Sequence, residues 1–259
     1  MIRSLAQATV ASLALAIASA ALAEDAVPAP QQSSAFTADQ IEALHAEIRA
    51  YLLANPEIVM EMVRILDEKQ KAATATDDKA LVAANAVAIF DDGFSWVGGN
   101  PAGKLTIVEF LDYQCGFCRK AQPEITELLE RNDDVRLIVK EMPILGPGSD
   151  LAARAAVATM VAEGPEAYGK LHQVLMATKG QITDASLDRA FAEAGVDAEK
   201  ARAAMDDPEV TRRLDATHAL AESLAISGTP TFVVADTMVR GYVPLAQMEG
   251  LLDQARAVE

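Results

Sequence analysis

Apolar residues recur along this chain with two different periods. Short apolar runs bounded by turn residues predict buried β-strands, and from residue 149 to about 223 the apolar spacing is helical throughout. The predicted strands are 94–97, 105–111, 135–139, 231–235 and 238–241. The helical block at 149 to about 223 is too long to be a single crossover connection between two strands. The chain is therefore expected to be an α/β protein with an inserted helical subdomain. A closing helix is predicted at 244–257.

A further helical stretch, residues 37–90, precedes the strands. Thr37-Ala-Asp-Gln40 matches a capping box, and Asn55-Pro56-Glu57 restarts the helix with favourable end residues. Its apolar stripe consists of Ile41, Leu44, Ile48, Leu52, Ile58, Met62, Ile65 and Leu66. A short helical appendage cannot bury such a stripe alone. We therefore expect the stripe either to dock on the rest of the chain or to self-associate, and we favour self-association.

The N-terminus indicates export. Residues 1–23 match a cleavable secretory signal, with Arg3 before an Ala-rich apolar run and a small-x-small cleavage pattern at Ala21-Leu22-Ala23. An uncleaved membrane anchor is the alternative, but the run is weak in Leu and Ile. Residues 24–36 contain prolines and paired polar residues, which predicts a flexible tether. The expected destination is a bacterial periplasm, where disulfides persist.

The net charge, the histidines and the number of cysteines limit the kinds of partner and metal site that can be expected. The net charge of −16 at pH 7 disfavours nucleic acid and anionic membranes as partners. The histidines are scattered, and no second cysteine pair completes a structural zinc site. No metal site is therefore predicted.

The only two cysteines, Cys115 and Cys118, lie between the 105–111 run and a helical pattern at about 116–130. The free N–H groups and the dipole at a helix start favour a thiolate over a thiol. A thiolate is the nucleophile of disulfide exchange, and a second sulfur one turn away can resolve the mixed disulfide. A purely structural disulfide is disfavoured because so small a loop restrains the unfolded chain very little. The pair therefore predicts redox chemistry.

Three segments resemble the thioredoxin-fold disulfide oxidoreductases of the DsbA type. They are Val108-Glu-Phe-Leu-Asp-Tyr-Gln-Cys-Gly-Phe-Cys118, Lys140-Glu-Met-Pro-Ile-Leu145 and Ser227-Gly-Thr-Pro-Thr-Phe232. The resemblance spans 91–259 and implies a thioredoxin fold with a helical insertion at about 149–223. The run from Tyr51 to Ile58 resembles the N-terminal oligomerisation segment of ScsC (suppressor of copper sensitivity) proteins, a DsbA-like subgroup. A homo-oligomer is therefore implied.

The resemblance also implies roles for residues around the sulfurs. Glu109 stands where this family has an acidic residue beneath the active site, and Lys140 where it often has the basic partner. We expect this pair to assist proton transfer to Cys118, although a strand-end carboxylate that reaches water is the alternative. Thr229-Pro230 is expected to be cis and to face the cysteines, with Thr229 offering backbone groups to the substrate. No cofactor is implied beyond the redox-active Cys115–Cys118 disulfide.

The dipeptide Gly116-Phe117 sets the expected direction of the chemistry. It lacks the His of the strongly oxidising members and the Pro of the reductases, and together with Thr229 it resembles the periplasmic isomerases. We therefore expect an isomerase or reductase that acts on exported proteins and is reset by a membrane redox partner. A dedicated oxidant is the alternative. A protein that holds Cu(I) on two soft thiolates is a less favoured one.

Overall fold

The structure is a computed structural model that describes residues 36–257. The predicted signal at 1–23, and the predicted tether up to residue 35, lie outside the described residues. The chain divides into two compact units between Glu61 and Met62. Within residues 36–257, no helix combines the length and the apolar character needed to cross a bilayer.

The first unit contains helix α1 (Ala38–Ala54) and the start of helix α2 (Glu57–Ala84). The predicted capping box is present: the Gln40 N–H donates to the Thr37 hydroxyl, and the Thr37 N–H donates to the Gln40 side chain at 2.9 Å. None of the residues of α1 is buried. The apolar stripe is therefore open to solvent in a single chain, most clearly at Leu44 and Ile48.

Helix α2 continues without a break through the polar stretch at 67–78. Seven of these twelve residues are Ala, Lys, Glu or Gln, which are strong helix formers. In the second unit the end of α2 is anchored by an ion pair of 2.5 Å between Asp78 and Arg240, and Val82 is buried. Helix α3 (Ala86–Phe90) follows.

The second unit is built on a five-stranded mixed sheet with the order β1-β3-β2-β4-β5. The strands are β1 (Trp96–Gly99), β2 (Leu105–Leu111), β3 (Val135–Glu141), β4 (Thr231–Val234) and β5 (Thr237–Arg240). Strands β2 and β3 are parallel, and the other pairs are antiparallel. Strand β1 begins later than predicted because the Asp92 carboxylate accepts the N–H groups of Phe94 and Ser95 and holds them in a turn.

Seven helices complete this unit. They are α4 (Gly116–Arg131), α5 (Pro147–Glu163), α6 (Pro165–Ala177), α7 (Asp184–Ala194), α8 (Ala198–Ala204), α9 (Pro208–Ser223) and α10 (Leu245–Arg256). Helices α5 to α9 lie between β3 and β4, which confirms the predicted helical insertion. The order β-β-α-β-(helices)-β-β-α is the thioredoxin fold predicted from the sequence.

The two faces of the sheet carry separate cores. Ile107 and Leu111 of β2 belong to a core with residues of α4, α6 and α10. Val108 and Phe110 face the opposite core, with residues from α2, α3 and α9. Because successive residues of a strand point to opposite faces, this division decides which polar residues lie beneath the cysteines.

Candidate active site

The two cysteines lie where the sequence predicted, at the turn from β2 into α4. Cys115 is the N-cap residue of α4, and Cys118 lies in its first turn. Both are free thiols. Cys115 is 7% exposed and Cys118 is fully buried. A substrate disulfide can therefore reach only the first sulfur.

The surroundings of Cys115 favour its thiolate. The pKa of Cys115 is lowered to about 5, mainly by a hydrogen bond from the Cys118 thiol. Burial opposes this effect, and hydrogen bonds from the Thr229 hydroxyl and from the backbone N–H groups of Cys118 and Phe117 add to it. At neutral pH Cys115 is therefore ionised and ready to attack a disulfide.

The second sulfur has the opposite character. The pKa of Cys118 is raised by its hydrogen bond to Cys115, by burial and by the charge of Glu109. Cys118 therefore remains a thiol until a base takes its proton. A thiolate with slight exposure and a fully buried thiol form the asymmetric pair that disulfide exchange requires.

The loop before β4 faces this pair as expected. The Thr229–Pro230 peptide bond is cis. The Thr229 carbonyl lies 3.2 Å from Cys115 Sγ and accepts from it when the sulfur is a thiol. Thr229 thus presents backbone and side-chain groups at the sulfur that meets the substrate.

Glu109 lies on the cysteine side of the sheet and is fully buried. Neither of its carboxyl oxygens has a hydrogen-bond partner among residues 36–257. Its pKa is raised to about 8 by burial and by the negative charges of Glu141 and Cys115. This carboxyl does not reach water at the strand end, so the alternative considered for it is wrong. Its position suits a group that exchanges a proton with Cys118.

Lys140 does not pair with Glu109, and that prediction is wrong. In the β2–β3 register Lys140 lies beside Phe110, whereas Glu109 lies beside Val139. The Lys140 ammonium is on the opposite face of the sheet, where it donates to Asp92 Oδ2 at 2.6 Å and to the Ala88 carbonyl at 2.8 Å. Its role is to anchor the segment before β1 rather than to serve the cysteines.

Glu141, next to Lys140, lies on the face of the sheet where a basic partner of Glu109 was expected. Strand alternation places it on the side of Glu109, and it is buried. Tyr113 and Tyr168 donate hydrogen bonds to it. Alternation could have revealed Glu141, but nothing in the sequence could have shown that Tyr168 of the helical insertion reaches it.

Asp112 was also missed, and it holds the active-site loop in place. Its carboxylate accepts the N–H groups of Ile144 and Leu145 at 2.8 and 3.0 Å, and the Ser149 hydroxyl at 2.7 Å. It also accepts the Gln114 N–H at 2.7 Å. The loop after β3 is thereby fixed beside the segment that carries Cys115.

The Gly116-Phe117 dipeptide between the two cysteines has no side-chain hydrogen-bond donor. Gly116 has open space where a side chain would stand. Phe117 is 60% exposed, and its ring stacks near that of Tyr242 with centroids 6.4 Å apart. Within the described part of the chain, no three metal-ligating side chains cluster together.

Glu109→Gln is expected to stabilise the reduced protein at neutral pH. The pKa of Glu109 is about 8 in the fold, against about 4.3 in an unfolded chain. Folding therefore favours the protonated acid, so its stabilising contribution is complete below the unfolded pKa and is lost as the pH rises toward 8. At about 1.4 kcal/mol per pH unit, the loss at pH 7 is on the order of 3 kcal/mol. The Glu109→Gln variant avoids this loss of stability because its side chain does not ionise.

Urea unfolding of the reduced proteins at pH 4.5, 7 and 8.5 measures this effect. The difference in the free energy of unfolding between the variant and the wild type should be near zero at pH 4.5 and should increase as the pH rises. Glu193→Gln, the same change at an exposed site, is the control. Parallel stability curves for wild type and Glu109→Gln would show that Glu109 is ionised in the fold.

Comparisons with known proteins agree with this geometry. Residues 106–253 match the family model described as the DSBA-like thioredoxin domain, and residues 40–73 match the copper resistance protein ScsC N-terminal domain. A thioredoxin-like oxidoreductase from Silicibacter pomeroyi DSS-3 is 41% identical over 67% of this chain and 98% of its own, with a TM-score of 0.63. A linker-deletion mutant of Proteus mirabilis ScsC is 28% identical over 88% of this chain and 100% of its own, with a TM-score of 0.66.

A curated relative, the Na(+)/H(+) antiporter NhaA 3 of Salinispora tropica, is 30% identical over 140 residues, or 53% of this chain. The chain spans only 21% of that protein's length. The DSBA-like match, by contrast, covers strands β2 to β5 almost completely, together with the cysteines and the helical insertion. The chain therefore belongs to the DsbA-like family of thioredoxin-fold thiol–disulfide oxidoreductases, and its N-terminal segment is of the ScsC type.

Proposed function

We propose that this oxidoreductase is exported to the periplasm and works as a homo-oligomeric disulfide isomerase or reductase. The observation that carries the proposal is the Cys115 thiolate, which lies beside the protonated Cys118 in a Cys-Gly-Phe-Cys site. The Gly116-Phe117 dipeptide contributes the Phe117 backbone N–H to this thiolate and no side-chain donor. An isomerase needs an attacking thiolate that can also be displaced again, and a site of this kind supplies one.

Unfolded exported proteins suit the surface beside Cys115. Phe117, Ile144 and Leu145 are exposed. Asp112 binds the backbone of Ile144 and Leu145, which keeps these apolar side chains near the active-site loop. Misfolded chains expose apolar segments, so this rim favours them over compact native proteins. The Thr229 backbone then aligns the segment next to the sulfur.

Self-association through α1 and the start of α2 would complete the isomerase. The exposed side chains of this segment include Leu44, Ile48 and Met62, and further along α2 Ile65 and Leu66. The match to the ScsC N-terminal domain covers the same segment. Several Cys115 sites on one oligomer would hold a substrate at a high effective concentration during repeated exchange.

The proposed location rests on the signal-like residues 1–23 and the acidic charge of the chain, and on the likeness to a periplasmic thioredoxin-like protein from Salmonella enterica serovar Typhimurium, which is 30% identical. A membrane redox partner that keeps Cys115 and Cys118 reduced belongs to the same proposal. Without such a partner, each reduction of a substrate disulfide would leave Cys115 and Cys118 joined in a disulfide.

Copper handling is the second candidate, because the family model matched by residues 40–73 is named for copper resistance. The two thiolates of Cys115 and Cys118 would hold Cu(I) in each chain. Binding of Cu(I) by the reduced protein without any exchange activity would favour this candidate over the enzyme.

The reduction potential of the cysteine pair, together with an isomerase assay, tests the proposal. We expect a potential in the range of glutaredoxins and disulfide isomerases, about −180 to −230 mV. We also expect the reduced protein to restore activity to a scrambled disulfide substrate. A potential near −120 mV without isomerase activity would identify a dedicated oxidant instead.

A further inference from the structure

We propose that Glu141 is a positioning residue of the exchange reaction, which acts through Glu109 to set the pH at which Cys118 gives up its proton. The inference rests on the exchange chemistry proposed above. Glu141 is two residues beyond Val139, the β3 neighbour of Glu109, and therefore lies on the same face of the sheet. Both carboxyls are buried.

The surroundings of Glu141 are suited to hold a negative charge in the interior. Tyr113 Oη donates to Glu141 Oε1 at 2.7 Å, and Tyr168 Oη donates to the same oxygen. The Tyr113 hydroxyl also lies 3.0 Å from His172 Nδ1. A phenol has only one proton, so while Glu141 is ionised Tyr113 accepts from His172. The carboxylate thus receives two hydrogen bonds, and one of them is supported by a third residue.

This network borders two cavities that Glu109 does not line. Glu141 lines a cavity of about 20 Å³ with Trp96 and Tyr168, which is room for one water molecule. His172 lines a separate open cleft beside α4. Glu141 Oε2 and His172 Nε2 are buried and have no protein partner among residues 36–257. A water molecule in the small cavity would have Glu141 Oε2 to bind, whereas the Glu109 carboxyl lines neither cavity.

The electrostatic coupling between the carboxyls has a definite sign. The negative charge of Glu141 raises the pKa of Glu109, because two like charges in the interior disfavour each other. The pKa of Glu141 is itself raised to about 8 by burial, against the two phenol hydrogen bonds, with a further increase from Asp112. The pair therefore changes charge near neutral pH.

Few other charges face this pair. On its own side of the sheet Tyr113, Tyr168 and His172 surround Glu141, and burial lowers the pKa of His172 to about 4, so His172 is neutral. Arg213 of α9 lines the cavity, but its guanidinium is bound to Glu209 at 2.8 Å. The cysteines adjoin Glu109.

The step that Glu141 would influence is the release of substrate from the mixed disulfide. Cys118 passes its thiol proton to ionised Glu109, and the Cys118 thiolate attacks Cys115 Sγ. The Cys115–Cys118 bond forms while the bond from Cys115 to the substrate sulfur breaks. The substrate sulfur leaves with the electron pair as a thiolate, so the substrate is reduced and the site is oxidised. Since Glu141 makes Glu109 a stronger base, removing its charge should shift this step to lower pH.

Single-turnover kinetics of the full-length protein test the inference. The reduced enzyme reacts with a fluorogenic disulfide, and the rate of the Cys118 step is followed from pH 5 to pH 10. The wild type should show an inflection below pH 8, because the pKa of Glu109 is about 8 in the reduced protein and the mixed disulfide lacks the Cys115 charge that helps to raise it. Glu141→Gln should move the inflection down by about one pH unit. Tyr168→Phe, which leaves the carboxyl in place, should move it less in the same direction. Glu109→Gln should abolish it.

The exposed Glu193→Gln variant is the control and should match the wild type. An unchanged inflection in a folded Glu141→Gln protein would overturn the inference. If that variant does not fold, an unchanged inflection in Tyr168→Phe would overturn it. Absence of exchange by the wild type would instead contradict the proposed function. In that case the Glu109 pKa, measured by carbon-13 NMR in wild type and Glu141→Gln, still decides whether the two carboxyls are coupled.

Discussion

The Cys115→Ser variant should show no disulfide exchange above the buffer background. Cys115 is the ionised sulfur and the more accessible of the two, and the remaining Cys118 is fully buried with a raised pKa. A buried thiol can neither reach a substrate disulfide nor attack it at neutral pH. The initial rate of reduction of a small disulfide by stoichiometric protein measures this loss.

The Cys118→Ser variant is the matched comparison for Cys115→Ser. It keeps the Cys115 nucleophile but has no sulfur to displace the substrate, so mixed disulfides should accumulate. Non-reducing electrophoresis after incubation of the reduced variant with a scrambled, disulfide-bonded substrate detects these adducts. Activity retained by Cys115→Ser, or adducts formed equally by both variants, would contradict the assigned roles.

Removal of residues 24–66 should separate simple reduction from isomerisation. The exposed apolar side chains of α1 and early α2 are lost, so the protein should become a monomer. The catalytic unit should stay folded, because the cut leaves Asp78 paired with Arg240 and Val82 buried. The monomer should still reduce small disulfides through Cys115, but it should lose most isomerase activity because neighbouring sites no longer hold the substrate.

Two point variants of the full-length protein serve as controls. Ile48→Glu places a charge on the exposed apolar side and should disrupt association without truncation. Glu47→Gln, at the exposed position next to it, should not. Light scattering at micromolar concentration reports the size of each protein, and refolding of a scrambled substrate reports isomerase activity. A monomeric wild type, or a truncated protein with full isomerase activity, would rule out the oligomeric isomerase.

Sequence patterns predicted the parts of this molecule that local rules govern. Apolar periodicity predicted the strands and the helical insertion, and the Cys115–Cys118 spacing located the active site. The error at Lys140 arose because the resemblance gave a position in the chain but not the strand register. That register turns Lys140 toward Asp92. Strand register depends on the pairing of distant segments.

The helical insertion shows a second limit. Its helical character was evident from apolar periodicity, but the docking of α6 places Tyr168 and His172 beside Glu141. Docking depends on shape complementarity between distant surfaces, which one sequence does not show. The His172 side chain is buried in the core, and its Nε2 has no partner in the described part of the chain.

The pH dependence of alkylation tests the central claim, that Cys115 is a stabilised thiolate beside a buried Cys118 thiol. Reduced full-length protein is treated with iodoacetamide from pH 3 to pH 9, and the modified cysteine is identified by mass spectrometry. We expect modification of Cys115 alone, with a midpoint near pH 5. A midpoint near the ordinary cysteine value of 9.0, or equal labelling of Cys115 and Cys118 in the folded protein, would contradict the account.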